Sequence, residues 1–374
     1  MKKILIVFGT RPEAIKMAPL VKELINVFKV IVCVTGQHRE MLDQVLRMFN
    51  ITPDYDLKLM KPDQDLYNIT CDVINGMKVV LVKESPDLVL IHGDTTTAMA
   101  TSISAYYSSV PVGHIEAGLR TNEIYSPFPE EINRQIVARI AQYHFAPTEK
   151  ARNNLIEERI PKEKIVVTGN TVIDSLLFML EKARKEPYQE KVLKVMPFLN
   201  AKPLPRIILV TGHRRENFGK GFSEICNALK SIALAHPEVH IIYPVHLNPN
   251  VQKPVSNILS GINNLHLLSP LGYLQFVKLM DACYLIITDS GGIQEEAPSL
   301  GKPVLLMRDT TERPESIEAG TVKLVGANKE NIVSSVNLLL SDELEYLRMV
   351  NSKNPYGDGS ASAKICISIK NLIK

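Results

Sequence analysis

A short stretch in the second half of the chain combines residue types that suit phosphate binding. An apolar run over residues 284–287 is followed by Asp289, and Ser290, Gly291 and Gly292 then lead into a helix-like segment. Glycines let the backbone approach a ligand closely, and the first turn of a helix presents unpaired N–H groups to an anion. The pattern predicts a strand, a glycine turn and a helix that bind a diphosphate, with an ordinary capped strand-to-helix turn as the alternative.

Glu296 lies about one helical turn after these glycines. An acidic side chain in a comparable place accepts hydrogen bonds from ribose hydroxyls in dinucleotide-binding folds, so we expect Glu296 to contact a ribose. No G-x-G-x-x-G motif follows the apolar run at residues 3–8 or the one at residues 206–211. This argues against a bound NAD, and no redox cofactor is expected.

Polar residues follow the apolar runs in both halves of the chain. They are Arg11, Glu13, Lys16, Gln37, His38, Asp94, Glu116, Arg120, Glu130, His213, Arg214, His246, Ser290, Glu296, Arg308 and Arg313. Each has a structural alternative as a solvated charge, a helix cap or a first-turn acid. Glu116 is harder to explain in that way, because it follows a buried run and precedes Ala117 and Gly118, where no cap is needed. His213 is similar.

The nine histidines show no spacing typical of a metal site. His236 and His240 are four residues apart, but Pro237 lies between them, which disfavours two ligands on one helix face. The sequence therefore predicts that no metal ion is bound.

Length and composition favour two domains and exclude several classes of partner. The chain has 374 residues, 45% of them hydrophobic, and a net charge of only +3, so no nucleic-acid surface is expected. The five cysteines are scattered without a C-x-x-C pair, which is typical of a cytoplasmic protein. No segment approaches the roughly 18 apolar residues that a membrane helix needs.

Apolar runs alternate with helix-like segments along most of the chain. The strands predicted from them lie near residues 3–8, 29–34, 87–91, 111–115, 143–146, 164–167, 206–211, 238–244, 264–268, 283–288, 303–307 and 321–324. Continuous apolar strands that alternate with helices predict two doubly wound parallel α/β sheets. Because ligands bind at the carboxyl ends of such strands, we expect a site in a cleft between two domains, with a boundary region near residues 182–205.

The two halves of the chain repeat the same pattern. Residues 3–15 correspond to residues 206–218, so that Gly9, Arg11 and Glu13 align with Gly212, Arg214 and Glu216. Residues 87–118 correspond in the same way to residues 284–309. The repeat predicts that both halves share one architecture.

Ten segments together resemble a known family. They are FGTRPEAIKMAPL (8–20), GQHREMLDQVL (36–46), HGDTTT (92–97), GHIEAGLRT (113–121), SPFPEEINR (126–134), TGNTVID (168–174), TGHRREN (211–217), YPVHLNPNV (243–251), TDSGGIQEEAPSLGKPVL (288–305) and MRDTTERPE (307–315). In order and spacing they resemble the non-hydrolysing UDP-N-acetylglucosamine 2-epimerases over nearly the whole chain.

The resemblance implies an isomerase with two Rossmann-like domains that face each other across a cleft, as in GT-B glycosyltransferases. The first domain would span residues 1–169, the second, UDP-binding domain residues 170–354, and a C-terminal helix in residues 355–374 would cross back to the first. The implied reaction interconverts UDP-N-acetylglucosamine (UDP-GlcNAc) and UDP-N-acetylmannosamine (UDP-ManNAc) by eliminating and re-adding UDP through a glycal-like intermediate. The resemblance implies that no cofactor is needed. It also implies that the protein is a homodimer.

The resemblance also implies roles for individual residues. The catalytic set is Asp94, Glu116, Glu130 and His213, and the substrate- or UDP-binding set is Arg11, Lys16, Phe276, Ser290, Gly291, Gly292, Glu296 and Arg313, to which we add Arg214 and His246. An activating second substrate molecule would bind near Gln37 and His38. Two departures from the family pattern are Asp72, where an arginine is expected, and Leu271, where some relatives have glutamine.

Three other functions fit parts of the pattern. A hydrolysing epimerase would release N-acetylmannosamine and UDP, and a GT-B glycosyltransferase would share the fold and the UDP-binding turn. A non-catalytic nucleotide-sugar sensor is the third. Three carboxylates and a histidine exceed the proton-handling groups that simple glycosyl transfer requires, which favours the epimerase.

Overall fold

The computed structural model describes residues 1–36, 39–59, 64–185 and 188–373 of the chain. The chain forms two compact units, of which the first comprises Met1–Ser175 and Tyr356–Lys374 and the second comprises Leu176–Pro355. The domain limits expected at residues 169 and 354 stay a prediction. The charged stretch 182–205 belongs to the second unit.

The first unit is built on a seven-stranded sheet whose neighbouring strands are all parallel. In chain order its strands are β1 (Lys3–Phe8), β2 (Lys29–Val34), β3 (Tyr55–Asp56), β4 (Leu88–His92), β5 (Val112–Ile115), β6 (Tyr143–Ala146) and β7 (Ile165–Val167). Their order across the sheet is β3-β2-β1-β4-β5-β6-β7. The direction in which strands are added therefore reverses between β1 and β4.

The second unit repeats this plan with six parallel strands. They are β8 (Ile207–Thr211), β9 (His240–Pro244), β10 (Leu265–Leu268), β11 (Leu285–Thr288), β12 (Val304–Leu306) and β13 (Val322–Leu324). Their order is β10-β9-β8-β11-β12-β13, with the reversal between β8 and β11. Reversals of this kind create the crevices at which open α/β sheets bind ligands.

Helices connect the strands, as the alternating pattern predicts. They are α1 (Arg11–Leu24), α2 (Arg39–Phe49), α3 (Leu66–Glu84), α4 (Thr96–Tyr107), α5 (Glu130–Ile140), α6 (Glu149–Glu157), α7 (Thr171–Ala183), α8 (Tyr188–Val195), α9 (Lys220–Ala235), α10 (Pro249–Leu259), α11 (Tyr273–Ala282), α12 (Gly291–Glu296), α13 (Pro314–Glu318), α14 (Lys329–Ser341), α15 (Glu343–Val350) and α16 (Ala361–Leu372). None of the helices in the described part of the chain combines the length and the hydropathy that a membrane span requires.

The predicted strands and the predicted internal repeat are confirmed. Each predicted strand is present within two residues of its expected ends, and only the two-residue β3 was missed. The repeated segments form β1 and β8, and also β4 and β11, so each repeated pair occupies the same place in its own sheet. The central strands are continuously apolar because helices cover both faces of each sheet, and residues 4–8 and 207–210 are fully buried.

The closing helix α16 belongs to the first unit, where it packs against α1. Its apolar residues Ile365 and Ile369 are four residues apart, so they share one helix face, and both are fully buried. The last part of the chain therefore completes the hydrophobic layer over the first sheet.

Gly118, in the loop after β5, lies in a position that only glycine can occupy without strain. Its φ is +91°, and a Cβ added there would lie 2.1 Å from the carbonyl oxygen of Ala151. Gly93, in the loop after β4, also has a positive φ of +63°, but the nearest atom to an added Cβ is 3.8 Å away. The two glycines share the conformational requirement and differ in crowding.

We expect Gly118→Ala to lower the midpoint of thermal unfolding by roughly 5 °C more than Gly93→Ala does, because only Gly118→Ala forces a side chain against the main chain. Differential scanning calorimetry of both variants and the parent chain measures this difference. Equal midpoints for the two variants would contradict the crowding at Gly118.

Candidate active site

Glu116 stands at the carboxyl end of β5 in the first unit, in a left-handed backbone conformation with a φ of +62°. Such a conformation is costly for a residue with a Cβ and is found disproportionately at functional sites. Three side chains converge on its Oε2 atom. Lys16 of α1 forms an ion pair with it, Asn170 Nδ2 donates a hydrogen bond of 2.6 Å, and His92 Nε2 lies 3.8 Å away.

Asp94 follows β4 and lies close to the same carboxylate. Arg134 of α5 forms an ion pair with Asp94 Oδ2, and Asn133 Nδ2 donates to the carbonyl oxygen of Asp94 at 2.9 Å. Burial raises the pKa of Asp94, Arg134 opposes this shift, and the charge of Glu116 adds to it. An acid with a raised pKa beside a second carboxylate is a typical arrangement for proton transfer.

Glu130 and Glu131 are adjacent at the start of α5 but have different surroundings. The Glu131 side chain is fully buried and accepts hydrogen bonds of 3.1 Å from the backbone N–H groups of Thr121 and Asn122. The buried Oε2 of Glu130 has no hydrogen-bond partner among the described residues. Glu131 therefore stabilises a loop, whereas Glu130 retains an acceptor for a ligand.

The buried side chain of Glu13 joins the loops that follow β1 and β4. Its Oε2 accepts hydrogen bonds from the N–H groups of Gly9 and Thr10 at 3.1 and 2.7 Å, and its Oε1 accepts one of 2.7 Å from the Thr95 hydroxyl. Thr10 caps α1, so Arg11 is held at the first position of that helix. Glu13 is thus structural, and it orients the two loops that carry Arg11 and Asp94.

Three other residues from the sequence prediction are not placed in the candidate site by the described structure. Gln37 and His38, the predicted activating site, lie outside the described residues. Arg120 forms a two-fold ion pair with Glu158 at 2.5 and 2.9 Å, which agrees with the structural alternative for that residue.

In the second unit, Asp289 links the ends of β8 and β11. Its Oδ2 accepts hydrogen bonds of 2.8 Å from the backbone N–H groups of both His213 and Arg214. The His213 ring lies with Nδ1 3.5 Å from Asp289 Oδ1 and stacks on the His246 ring with centroids 5.4 Å apart. Burial lowers the pKa of His213, and Asp289 opposes that shift. Imidazole is the side chain best suited to proton exchange near neutral pH, and these contacts hold the His213 ring in place.

The predicted strand, glycine turn and helix are present after β11. Ser290 precedes α12, and an added Cβ on Gly291 would lie 2.6 Å from Arg313 Nη1. The guanidinium of Arg313 therefore rests against the backbone of the turn. It also donates to Glu295 Oε1 at 2.6 Å and to Glu312 Oε1 at 2.5 Å.

Glu312 holds several cations beside this turn. It pairs with Arg313 at 2.5 Å, with Arg308 at 2.7 Å and with Arg214 at 3.9 Å. Although burial opposes ionisation, Arg313 and Arg308 hold the pKa of Glu312 at about 2. The cluster places the Arg313 guanidinium next to Gly291, and guanidinium groups are the preferred donors to phosphate oxygens.

Glu296, at the end of α12, is buried and accepts a hydrogen bond of 2.7 Å from the hydroxyl of Tyr273. Phe276 follows Tyr273 by about one turn of α11 and is partly buried. These contacts hold Glu296 in one orientation beside the glycine turn. Within the described ranges, no group of three or more His, Cys, Asp or Glu side chains is arranged to hold a metal ion.

Comparison with known proteins identifies the family. The family model described as UDP-N-acetylglucosamine 2-epimerase matches residues 22–370. A probable UDP-N-acetylglucosamine 2-epimerase of Ralstonia nicotianae is 59% identical over 99% of this chain and 99% of its own length. The UDP-N-acetylglucosamine 2-epimerase of Escherichia coli is 56% identical over 99% of this chain and 98% of its own length. The chain belongs to the UDP-N-acetylglucosamine 2-epimerase family.

The fold agrees with solved structures of such epimerases. The crystal structure of UDP-GlcNAc 2-epimerase from Neisseria meningitidis bound to UDP-GlcNAc is 51% identical and superposes with a TM-score of 0.91, covering 99% of this chain and 100% of the other. The Methanocaldococcus jannaschii epimerase in complex with UDP-GlcNAc and UDP is 34% identical, with a TM-score of 0.80 and 99% of each chain covered. The predicted family and the predicted class of two Rossmann-like sheets are thereby confirmed.

Several polar residues of the candidate site were not singled out by the sequence alone. Their common feature is that each contacts a predicted site residue through its side chain. They are Arg134 and Asn133 at Asp94, Asn170 at Glu116, Tyr273 at Glu296, and Glu312 at Arg313. Only the first two carried a usable signal, because they follow Glu130 by three and four residues and so share its helix face.

Proposed function

We propose that this chain interconverts UDP-GlcNAc and UDP-ManNAc by inverting C2 of the sugar, without releasing the free sugar. The proposal rests mainly on two carboxylates at the carboxyl edge of the first sheet, Asp94 and Glu116, which pair with Arg134 and Lys16 respectively. Membership of the epimerase family supports the proposal, as does the structure of the Neisseria enzyme with UDP-GlcNAc.

The chemistry explains why these residue types are needed. The C2 proton is not next to a carbonyl in the ring, so its removal alone would leave an unstabilised carbanion. If the C1–O bond to UDP breaks as a base takes the proton, the C2–H electrons form the C1–C2 double bond of a glycal. The C1–O electrons leave with UDP. Re-addition of UDP with protonation of the opposite face of C2 completes the inversion, and no net redox change occurs.

Proton transfer at two faces of C2 requires at least two acid or base groups. We propose that Asp94, Glu116, Glu130 and His213 supply them. Burial raises the pKa of Asp94, whereas Glu116 Oε2 receives a cation from Lys16 and a hydrogen bond from Asn170. That difference suits an acid and a base that work in the same site.

The negative charge that develops on UDP requires preorganised donors. We propose that the nucleotide is bound mainly by the second unit, through Arg214, His246, Phe276, Ser290, Gly291, Gly292, Glu296 and Arg313, and that Arg11 and Lys16 of the first unit bind the substrate. The arginine cluster on Glu312 and the buried Glu296–Tyr273 pair support the diphosphate and ribose assignments.

We expect Asp94→Asn, Glu116→Gln and Glu130→Gln each to lower kcat by roughly 100-fold or more while the Kd for UDP stays near that of the parent chain. Glu296→Ala should instead raise the Kd for UDP, because it removes the proposed ribose acceptor. Glu149→Gln, on the surface of α6, is the matched control and should change neither quantity. Steady-state kinetics measures kcat, and isothermal titration calorimetry measures the Kd for UDP. Unchanged turnover in all three carboxylate variants would remove them from the mechanism.

A single experiment separates the proposed reaction from its hydrolysing alternative. We expect UDP-ManNAc, supplied in heavy water, to yield UDP-GlcNAc with one deuterium at C2, because the proton that returns to C2 comes from a group that exchanges with solvent. Proton NMR of the isolated nucleotide sugar measures the label. Release of only N-acetylmannosamine and UDP would indicate the hydrolysing enzyme, and an unlabelled epimerised product would exclude proton abstraction.

We also propose that the chain acts as a homodimer in the cytoplasm. The free state of all five cysteines supports that location. One face of α3 and the end of α4 expose Tyr67, Val79, Val82, Tyr106 and Tyr107. Helices α3 and α4 pack against each other, and exposed apolar side chains on such a pair are typical of an interface. A second copy of this chain is the proposed occupant.

We expect the parent chain to sediment as a dimer of its 41.8 kDa protomer and Val79→Glu/Val82→Glu to sediment as a monomer. Two charges placed in an apolar interface would have to be buried without partners, which opposes association. Leu344→Glu replaces a leucine of α15 that is exposed to a similar degree, and it should leave the dimer intact. Sedimentation equilibrium measures the mass of each species in solution. A double variant that remains dimeric would place the interface elsewhere.

A further inference from the structure

Asn170 lies at the point where the loop after β7 enters α7, and only 3% of its surface is exposed. Three of its polar groups are engaged. Nδ2 donates to Glu116 Oε2 at 2.6 Å, Oδ1 accepts from the N–H of Val172 at 3.1 Å, and the backbone N–H donates to the carbonyl oxygen of Tyr356 at 2.8 Å. Asn170 is therefore anchored from both its side chain and its main chain.

The hydrogen bond from Val172 determines which way the amide of Asn170 faces. A backbone N–H can only donate, so the atom that receives it must be the amide oxygen. The NH₂ group is then the one that faces Glu116. Asn170 consequently presents a donor, and not an acceptor, to the carboxylate.

The surroundings of Glu116 Oε2 favour the charged carboxylate. Lys16 places a cation on the same oxygen that receives the Asn170 bond. Burial lowers the pKa of the adjacent His92 to about 4, so that its imidazole is neutral near pH 7 and adds no competing charge. Donors to the ionised form of a carboxylate stabilise that form over the protonated one.

The backbone at Glu116 has a strained conformation, which persists where contacts with other residues hold it. Its φ of +62° is a conformation that residues with a Cβ rarely adopt. Lys16 contributes one contact, but its long stem is flexible and its ammonium group is a point charge without a preferred direction. The short, buried amide of Asn170 supplies the directional contact.

We infer that Asn170 is a positioning residue that keeps the Glu116 carboxylate ionised and aimed for proton transfer at C2. The inference rests on the proposed function, because it assigns Glu116 a part in that reaction. In the proposed reaction Asn170 contacts neither the sugar nor UDP and acts only through Glu116.

Asn154 offers a matched control in the same unit. Its Nδ2 donates a hydrogen bond of 2.9 Å to the carbonyl oxygen of Gly118, two residues beyond Glu116. Asn154→Asp and Asn154→Ala therefore make the same chemical changes near the same loop. They remove a hydrogen bond to the main chain and leave the bond to the catalytic carboxylate in place.

The test compares the pH profiles of kcat/KM for the parent chain, Asn170→Asp, Asn170→Ala and the two Asn154 variants. Removal of a donor raises the pKa of the carboxylate, and an added negative charge raises it further. We expect the acid limb to move to higher pH in Asn170→Ala and by about one unit or more in Asn170→Asp. At pH 7 kcat should fall roughly 10- to 100-fold, with the Kd for UDP unchanged. In the Asn154 variants the acid limb of the pH profile should lie at the same pH as in the parent chain.

Two results would overturn the inference. One is an unmoved acid limb in both Asn170 variants, whatever their activity. The other is an equal shift in the Asn154 variants, which would show a general effect of the loop. Asn170→Ala provides the readout if Asn170→Asp does not fold. A parent chain that fails to label C2 in heavy water would instead refute the proposed function, so the two failures are distinguishable.

Discussion

A carboxylate withdrawn from water must be matched by hydrogen-bond donors or by a cation, and this requirement shapes the carboxyl edges of both sheets. Glu13, Glu131 and Asp289 each accept two hydrogen bonds from backbone N–H groups, and each of them holds a loop in place. Asp94 and Glu116 are matched by the side chains of other residues. Side chains can rotate to new partners when a substrate arrives, whereas a backbone N–H cannot do so without moving its loop. The kind of partner therefore separates the structural acids from those proposed to react.

At the carboxyl edge of the second sheet several arginines lie close together, and they would repel one another in the absence of a bound anion. Glu312 and Glu295 neutralise the arginines beside the glycine turn, so their mutual repulsion does not disrupt the loops. In the proposed reaction the diphosphate competes with these carboxylates for the guanidinium groups. The same cations can then stabilise the charge that UDP acquires as its bond to the sugar breaks.

The sequence predicted most of the architecture because buried parallel strands are continuous apolar runs that need no long-range information. It missed β3, because two residues are too few for any pattern. The site was predicted only in part. Both Lys16 and Arg120 follow strands, so their positions in the sequence do not distinguish them. Lys16 forms an ion pair with a carboxylate proposed to be catalytic, whereas Arg120 pairs with a partly exposed glutamate. Asn170 escaped notice because its partner Glu116 lies 54 residues away, and no periodicity links them.

The first unit is discontinuous in sequence, and this has a consequence for biosynthesis. Helix α16 covers α1 at the opposite end of the chain, and Tyr356 accepts the backbone hydrogen bond of Asn170. A ribosome therefore makes the whole second unit before it supplies the last layer of the first. Until α16 has been synthesised, the apolar face of α1 lacks its partner, and the nascent chain has to be shielded from aggregation. Deletion of α16 would therefore destabilise the first unit, although the codons of α16 lie far from those of α1.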